Sequence, residues 1–533
     1  MPSLWVLSIV LLSIFAFIAN GTDHYDDTSK LDEPVVNQTT CNGKTYKYRE
    51  LAGYGFVGAN DRDKFGDTLG GLGSSIAFDR SSWRKVADGS SYTGIVWSLP
   101  DRGWNTGGTL NFQPRVHKLE VTLTPAPAAT VENPSKPNIE IKYIDTIRFT
   151  APDGTPCTGL DADIRGSISF PNFPDLPVAT YTGDGFGGAG PGGRRVPLDG
   201  EGLVLNKDGT FWVSDEYGPF VYKFDKTGRM VSAIRPNEAI LPRRNGTVSF
   251  SGDSAPVYDP ERTVIPEDTE SGRANNQGFE GLTVTGDGNN LYVLLQSALD
   301  QEGGPADQTN RHARLVKYDI RSDTPRYARE FVVPLPQYND PTDKPEDNPK
   351  TAAQSEIFHI QNGQFFVLAR DSDAGHGQSS SLSIYRHADV FDISSATDIK
   401  STRYDTATGS IANSDGELND DITPATYCSF LDYNVNSQLG RFGLHNGGAQ
   451  DSGLLNEKWE SFGLLPVDGK DGDDDEWFLF SFSDNDFITQ DGYMNGGKYP
   501  YKDASGFDLD NQVLAFKITL PLHSRPFNRD GSN

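Results

Sequence analysis

One sequence pattern recurs along this chain. Residues 199–218 read DGEGLVLNKDGTFWVSDEYG, and residues 278–297 read GFEGLTVTGDGNNLYVLLQS. The pattern returns at residues 355–373 and 459–486, and a weaker copy lies at residues 71–103. Each copy has a short strand of alternating apolar and polar residues, a turn with glycine, and a second apolar strand that ends in polar residues. An internal repeat of this kind constrains the fold more than any single motif.

A third alternating segment follows most copies, for example VYKFDKTGRMVSAI at residues 221–234, and several copies add a fourth strand. Four antiparallel strands of this kind form one blade of a β-propeller. The copies start 76 to 127 residues apart, whereas a bare blade needs about 40 to 50 residues. We therefore predict an all-β chain that folds as a single β-propeller with long loop insertions. Five repeats are visible, and we expect six or seven blades.

The N-terminus predicts export. Residues 4–18 form an uncharged apolar run, which at about 15 residues is short for a membrane span, and small residues follow it at Ala19 and Gly21. We predict a signal peptide at residues 1–21; a signal anchor is the alternative, but the polar, acidic sequence after residue 21 has no basic stop-transfer flank. The remaining chain divides into an N-terminal extension (22–43), a propeller domain (44–522) and a C-terminal tail (523–533). We expect a secreted protein with no membrane association after signal removal.

Export determines how the cysteines and two asparagines are interpreted. Cys41, Cys157 and Cys428 allow at most one intramolecular disulfide, and the sequence does not show which two pair. Asn37 and Asn245 begin Asn-x-Thr sequons. We predict both as N-glycosylation sites if the secretory route is eukaryotic.

The charge of the chain excludes one class of partner. The 533 residues carry 47 basic and 74 acidic side chains, a formal charge of −27. A chain this acidic repels nucleic acid unless it keeps a concentrated basic patch, so we expect no nucleic-acid partner. The sequence offers no coiled-coil heptads, and we expect a monomer.

Acidic residues recur at two positions of the repeat. The first strands carry an acid in four copies and Ser74 in the weakest copy, and the second strands end in polar residues. The first-strand acids are Glu201, Glu280, Glu356 and Glu460, and the second-strand ends are Asp101-Arg102, Asp215-Glu216, Gln296, Arg370-Asp371 and Asp484-Asn485. If the first strand lines the axis and the second lies antiparallel beside it, both positions fall at the same end of the ring.

Carboxylates gathered in a small volume must be protonated or share a cation. Because Ca²⁺ takes six to eight oxygen ligands, we predict a Ca²⁺ site near the axis. The predicted ligands are Glu201, Asp215, Glu280, Glu356 and Asp484. The alternative is structural: each repeated glutamate caps backbone N–H groups of a neighbouring blade or pairs with an arginine.

The repeats also resemble a known family. GGLGSSIAFD at residues 70–79, the repeat from residue 199, and NQGFEGLTVTGDGNNLYVLLQS at residues 276–297 are similar to the phytase-like family described as having esterase-like activity of phytase, a secreted β-propeller group. The resemblance covers about residues 50–520. It implies a propeller outside the cytoplasm that hydrolyses phosphate or carboxylic esters. Ser74 departs from the acidic pattern, which leaves the ligand role of that copy open.

Two hydrolytic mechanisms fit these residues. Phytate would be repelled by so acidic a chain unless bound Ca²⁺ inverts the local field, with Glu216 as general base and arginines holding phosphate. A carboxylic ester or lactone needs less positive charge, and a histidine or carboxylate then activates water. The catalytic candidates are Glu216, Asp371, His376, Arg102 and Arg370, with Arg194 and Arg195 as further phosphate ligands. The substrate would be a small ester or phosphoester; the alternative function is a non-catalytic extracellular binding module.

Overall fold

The computed structural model describes residues 34–521, except for 88, 305, 342–348 and 469–474, together with Ser524 and Pro526. The predicted signal peptide lies outside the described residues, as do most of the predicted N-terminal extension and C-terminal tail. From Val35 onward the described residues form one compact unit.

The regular secondary structure of the described residues is almost entirely short strands, which we number in chain order. The fold begins with β1 (Asn37–Cys41) and β2 (Lys44–Val57). Sheet 1 contains β3 (Ser75–Lys85), β4 (Tyr92–Leu99), β5 (Arg115–Leu123) and β6 (Ile139–Arg148). A hairpin of β7 (Ala179–Tyr181) and β8 (Gly193–Arg195) follows. Sheet 2 contains β9 (Gly200–Leu205), β10 (Phe211–Asp215), β11 (Val221–Phe224) and β12 (Met230–Ile234).

The second half of the chain repeats this plan. A hairpin of β13 (Arg243–Arg244) and β14 (Thr247–Val248) precedes sheet 3. Sheet 3 contains β15 (Phe279–Val284), β16 (Asn290–Leu295), β17 (His312–Asp319) and β18 (Arg326–Pro334). A hairpin of β19 (Gln337–Tyr338) and β20 (Lys350–Thr351) leads to sheet 4, which contains β21 (Ala353–Gln361), β22 (Gln364–Arg370), β23 (Arg386–Asp392) and β24 (Thr426–Asp432).

A single helical turn, α1 (Asn436–Leu439), follows sheet 4, and short 3-10 turns lie at Asp300–Glu302 and Gly440–Phe442. The last strands are β25 (Lys458–Trp459), β26 (Gly463–Pro466), β27 (Glu476–Asp484), the hairpin β28 (Gly492–Met494) and β29 (Tyr499–Tyr501), and β30 (Asn511–Thr519).

Sheet 5 is built from both ends of the chain. In this sheet β25 and β26 both pair with β27. The order continues with β30 and β2, and β1 pairs with β2. Residues 37–41, which we assigned to an N-terminal extension, therefore belong to the fold. A disulfide between Cys41 and Cys428 also ties β1 to β24, and Cys157 remains a buried free thiol. The structure thus resolves the pairing that the sequence left open.

The all-β prediction is confirmed, and each predicted repeat supplies the first two strands of one sheet. The described strands form three separate four-stranded sheets, sheets 2, 3 and 4, and one ten-stranded sheet in which sheets 1 and 5 are joined by a single parallel bridge between Gly55 of β2 and Ile139 of β6. The six or seven blades that we expected stay a prediction. The extra residues between repeats form two-stranded hairpins and loops.

Apolar side chains fill the space between neighbouring sheets. Separate clusters of buried residues join sheets 1 and 2, sheets 2 and 3, sheets 3 and 4, sheets 4 and 5, and sheets 5 and 1. The first strands contact in the same order, β3 with β9, β9 with β15, β15 with β21, and β26 with β3. The first strands therefore lie innermost, as the repeat predicts.

A glycine follows two of the repeated glutamates, Glu201 and Glu280. These glycines let neighbouring first strands approach each other closely. A Cβ atom on Gly202 would lie 2.5 Å from the Leu282 Cβ atom, and one on Gly281 would lie 2.6 Å from the Ile357 backbone nitrogen. The Glu-Gly-Leu sequence therefore reflects close packing of neighbouring first strands.

We expect Gly281→Ala to destabilise the protein by about 1–3 kcal/mol, because the new methyl group must displace backbone in a packed core. Urea unfolding would measure the change. Gly58→Ala is the matched control, since its Cβ would meet only ordinary contacts at 3.6 Å. Equal stability of the two variants would contradict the close packing of β15 and β21.

Candidate functional site

Two of the repeated glutamates lie on β-bulges. In the β9–β10 pair, Gly200 and Gly202 have partners but Glu201 between them has none. In the β15–β16 pair, Glu280 and Gly281 both lack a partner, opposite the single residue Leu294. A bulge redirects a side chain away from the regular pleat. Both glutamates are buried, and their strands are adjacent: a Cβ atom on Gly202 would lie 2.7 Å from the Glu280 carbonyl oxygen.

Glu356 does not share this position. It pairs with Leu368 in the β21–β22 ladder, and the bulge falls one residue earlier, at Ser355. Its carboxylate accepts hydrogen bonds from the Ser75 hydroxyl (2.5 Å), from the Leu282 N–H (3.0 Å) and from the N–H of the next residue, Ile357 (2.9 Å). Both oxygens are thus used by the protein. The prediction of Glu356 as a metal ligand is not supported, and the structural alternative describes it better.

The buried position of Glu356 gives a pH-dependent stability that can be isolated. Burial raises the pKa of Glu356 from 4.5 to about 8. The folded state therefore favours the protonated form. The contribution of the protonated Glu356 carboxyl to the stability of the fold is fully present below about pH 4.5 and is lost as the pH rises through about 8. Glutamine does not ionise. The free energy of unfolding of Glu356→Gln minus that of the wild type should therefore be larger at pH 9 than at pH 5, by up to about 4 kcal/mol.

Urea unfolding of both proteins at the two pH values measures this difference. Glu140→Gln, a change of an exposed glutamate on β6, is the control and should show no such difference. A wild-type-like pH profile for Glu356→Gln would contradict the assignment.

Two other predicted residues also serve the backbone. Asp215 accepts hydrogen bonds from the N–H groups of Asp199 (3.0 Å), Tyr217 (3.3 Å) and Gly218 (3.0 Å), and burial raises its pKa to about 7. Asp371 accepts from the Ser383 hydroxyl (2.7 Å) and the Ile384 N–H (2.5 Å). These carboxylates hold the turns after β10 and β22. Neither the ligand role of Asp215 nor the catalytic role of Asp371 is supported by these contacts.

The remaining acids form one buried cluster, which we call the axial site. Its members are linked by ion contacts and by mutual effects on their pKa values. The axial site contains eight acids, Asp101, Asp199, Glu201, Glu216, Glu280, Glu460, Asp484 and Asp486, and three cations, Arg102, Arg370 and Lys458.

Two of these acids have buried oxygens without a hydrogen-bond donor, and a third lies beside them. Asp199, Glu201 and Glu216 lie within 4.8 Å of one another through one oxygen each, and we call them the first triad. Neither oxygen of Asp199 accepts a hydrogen bond in the described structure, and nor does Oε1 of Glu216. Arg102 Nη1 lies 2.9 Å from Asp199 Oδ2, but as an ion contact without hydrogen-bond geometry. Both residues are at most 2% exposed, so bulk solvent does not reach these oxygens.

A second triad, Asp101, Asp484 and Asp486, has the same spacing but is satisfied by the protein. Asp101 accepts from the Gly103 N–H (3.0 Å), and Asp484 accepts from the Ser74 hydroxyl (2.8 Å) and the Asp486 N–H (2.6 Å). Lys458 Nζ lies 2.6 Å from Asp486 Oδ1. The two triads therefore differ in their donors although their residue types are alike.

The field of the axial site is negative. Burial, followed by the charges of neighbouring acids, raises the pKa of Glu201 and Glu280 well above the ordinary value. The same causes raise the pKa of Asp101. Such shifts show that these carboxylates together lack sufficient positive charge.

Several predicted residues lie elsewhere. His376 contacts the Phe507 ring, and its electrostatic neighbours are Asp451, Asp510 and His445 rather than the axial acids. On β8, Arg194 donates to the Ser167 carbonyl (3.0 Å) and Arg195 to the Asn111 side chain (2.8 Å). Asn37 and Asn245 are both exposed, and their glycosylation stays a prediction.

Sequence reasoning missed two important members of the axial site as site residues. Asp199 precedes Glu201 by two residues, but the other repeats have no acid there. Lys458 is half-buried beside four acids; desolvation lowers its pKa, but the charges of these acids outweigh that effect and raise it. Neither position is repeated, so a search for repeated residues does not find them.

The family description "Phytase-like: Esterase-like activity of phytase" matches residues 69–432. The chain belongs to this family. A relative described as "Uncharacterized secreted protein" from Arthroderma benhamiae is 56% identical over 499 residues, which is 92% of this chain and 97% of that protein. Our prediction of secretion is confirmed by this relative. Among the described residues, no helix is both long and apolar enough to cross a membrane.

Two solved structures are similar at a low level. A luciferin-regenerating enzyme has a TM-score of 0.28 and 8% identity, covering 86% of this chain and 95% of its own. A gluconolactonase from Xanthomonas campestris has a TM-score of 0.23 and 9% identity, covering 80% and 90%. At these scores neither structure supports an argument about this chain.

Proposed function

We propose that the chain is a secreted β-propeller that hydrolyses small esters at the axial site, with one Ca²⁺ held by the first triad. The observation that carries the proposal is the set of buried oxygens on Asp199 and Glu216 that accept no hydrogen bond. Leaving buried carboxylate oxygens without a donor is costly. Three carboxylates within reach of one point are the hard oxygen ligands that Ca²⁺ takes.

The cation would supply a polarised ester carbonyl and a bound water of lowered pKa. Around it, the chain provides the remaining groups. After burial, the charge of Glu216 raises the pKa of Glu280, and the charge of Glu280 raises that of Glu201. We assign Glu280 as the base that takes the proton from water. Gln296 donates to the Glu280 carboxylate and fixes its orientation. Glu216, which the sequence suggested as the base, becomes a ligand.

Arg102 completes this arrangement. It contacts the Tyr217 hydroxyl and the Asn276 side chain as well as Asp199. Its side chain is 14% exposed, while its Nε has no hydrogen-bond acceptor in the described structure. We assign this Nε to donate to the carbonyl oxygen of the substrate as water adds, while Nη1 keeps its contact with Asp199.

Metal binding and activity should depend together on the first triad. We expect metal-loaded wild type to hydrolyse 4-nitrophenyl acetate and to lose this activity in EDTA. Asp199→Asn and Glu201→Gln should each weaken Ca²⁺ binding in equilibrium dialysis by at least about tenfold, because each removes a charged ligand.

Asp287→Asn, in the exposed turn between β15 and β16, is the control and should behave as wild type. Two results would count against the proposal. One is wild-type Ca²⁺ affinity in Asp199→Asn; the other is metal binding without turnover of any ester, which would favour the binding module.

Lys458 should set the number of bound ions. We assign its ammonium group as the built-in cation of the second triad, since it contacts Asp486 and lies near Asp484 and Asp101. The wild type should therefore bind one Ca²⁺ per chain. In Lys458→Met the second triad keeps its carboxylates without a counter-charge, so we expect a lower melting temperature without calcium and two bound ions with it.

Metal analysis after equilibrium dialysis gives the stoichiometry, and thermal unfolding with and without Ca²⁺ gives the stability. Two ions bound to the wild type, or an unchanged single ion and melting temperature in Lys458→Met, would contradict this role.

A further inference from the structure

Every cation of the axial site already contacts an acid of the same site. The contacts are short, and they use the charged ends of the side chains. The pairs are Arg102 Nη1 with Asp199 Oδ2 (2.9 Å), Arg370 Nη2 with Glu460 Oε1 (2.5 Å) and Lys458 Nζ with Asp486 Oδ1 (2.6 Å). None of the three is therefore free to neutralise a charged substrate without giving up a carboxylate.

Five acids remain outside these pairs. They are Asp101, Glu201, Glu216, Glu280 and Asp484. The first triad would share the bound ion, and each described cation of the axial site is already paired, so these residues offer no spare positive charge to an anionic substrate. The site is also buried, and charges there are screened less than at the surface.

A phosphate ester needs the opposite environment. It brings two negative charges, and proteins hold it with arginines that donate two parallel hydrogen bonds. Arg194 and Arg195, which the sequence offered for this task, bind loop acceptors at Ser167 and Asn111. Arg273 is fully buried and donates to the carbonyls of Tyr217 and Phe250. Each of these arginines is thus engaged in the scaffold.

We infer that the substrate is an uncharged carboxylic ester or lactone and not a phosphate ester. This inference rests on the proposed function. In the reaction the oxygen of water bonds to the carbonyl carbon, the bond from that carbon to the alcohol oxygen breaks, and the proton removed from water passes to the leaving alkoxide. The products are a carboxylic acid and an alcohol, and no oxidant, reductant or further reactant is needed.

A pair of esters with the same leaving group tests the role of charge. 4-Nitrophenyl acetate is neutral, and mono-4-nitrophenyl succinate carries one negative charge on its acyl group. With calcium-loaded wild type at low ionic strength, we expect kcat/KM to be at least about tenfold higher for the acetate. Added salt should reduce this difference in kcat/KM between the two esters, because it screens the charges. Asp484→Asn removes one acidic group next to the site and should also reduce the difference in kcat/KM between the two esters. Asp287→Asn should leave that difference unchanged.

4-Nitrophenyl phosphate and inositol hexakisphosphate complete the series, with phosphate release as the measurement. We expect no calcium-dependent release from either. If either is hydrolysed with a kcat/KM equal to or above that of the acetate, or if the succinate is preferred, the inference is overturned while the proposed hydrolase function stands. If calcium-loaded protein turns over none of the four compounds, the proposed function is overturned and the inference falls with it.

Discussion

The hydrogen bonds of Glu356 join the first strands of four sheets at the axis. Its carboxylate, on sheet 4, accepts from Leu282 of sheet 3 and Ser75 of sheet 1, and the Ser75 hydroxyl accepts from the Leu203 N–H of sheet 2 (3.0 Å). Such an arrangement requires the strands to lie very close, which the neighbouring glycines permit. Because the first strands are fixed in this way, the ends of the second strands are also fixed. The position of the axial acids follows from this constraint.

This geometry gathers more negative than positive charge. Eight buried acids share three basic side chains, and burial of unpaired charge is unfavourable. The cost can be met by protonation or by a bound cation. Where the protein supplies its own donors, as around Asp484, the acids are part of the scaffold. Around the first triad it supplies only the ion contact of Arg102 with Asp199, and oxygens of Asp199 and Glu216 are left without a hydrogen-bond donor.

The sequence predicts the strands well and the site only in part. Alternation with period two marks one buried face, so the repeat located the first two strands of each sheet. Glu201 and Glu280 were found because they recur. Glu356 was grouped with them because a one-residue change in register is invisible in the sequence. Asp215 and Asp371 recur because turns after second strands need backbone acceptors. Repetition therefore identifies shared structure more reliably than shared chemistry.

Chemistry at this site depends on donors that do not repeat. The two triads have similar residues and the same spacing, yet Ser74, Gly103 and Lys458 satisfy one of them. Ser74 is the residue that breaks the acidic pattern of the repeat, and here it donates to Asp484. The Ser74 hydroxyl thus gives Asp484 a hydrogen-bond donor. An acid at this position would instead have added one more buried carboxylate that needs a donor or a cation. Departures from the repeat consequently decide which triad keeps oxygens without a donor, and in the proposed function they place the cation and limit the charge of the substrate.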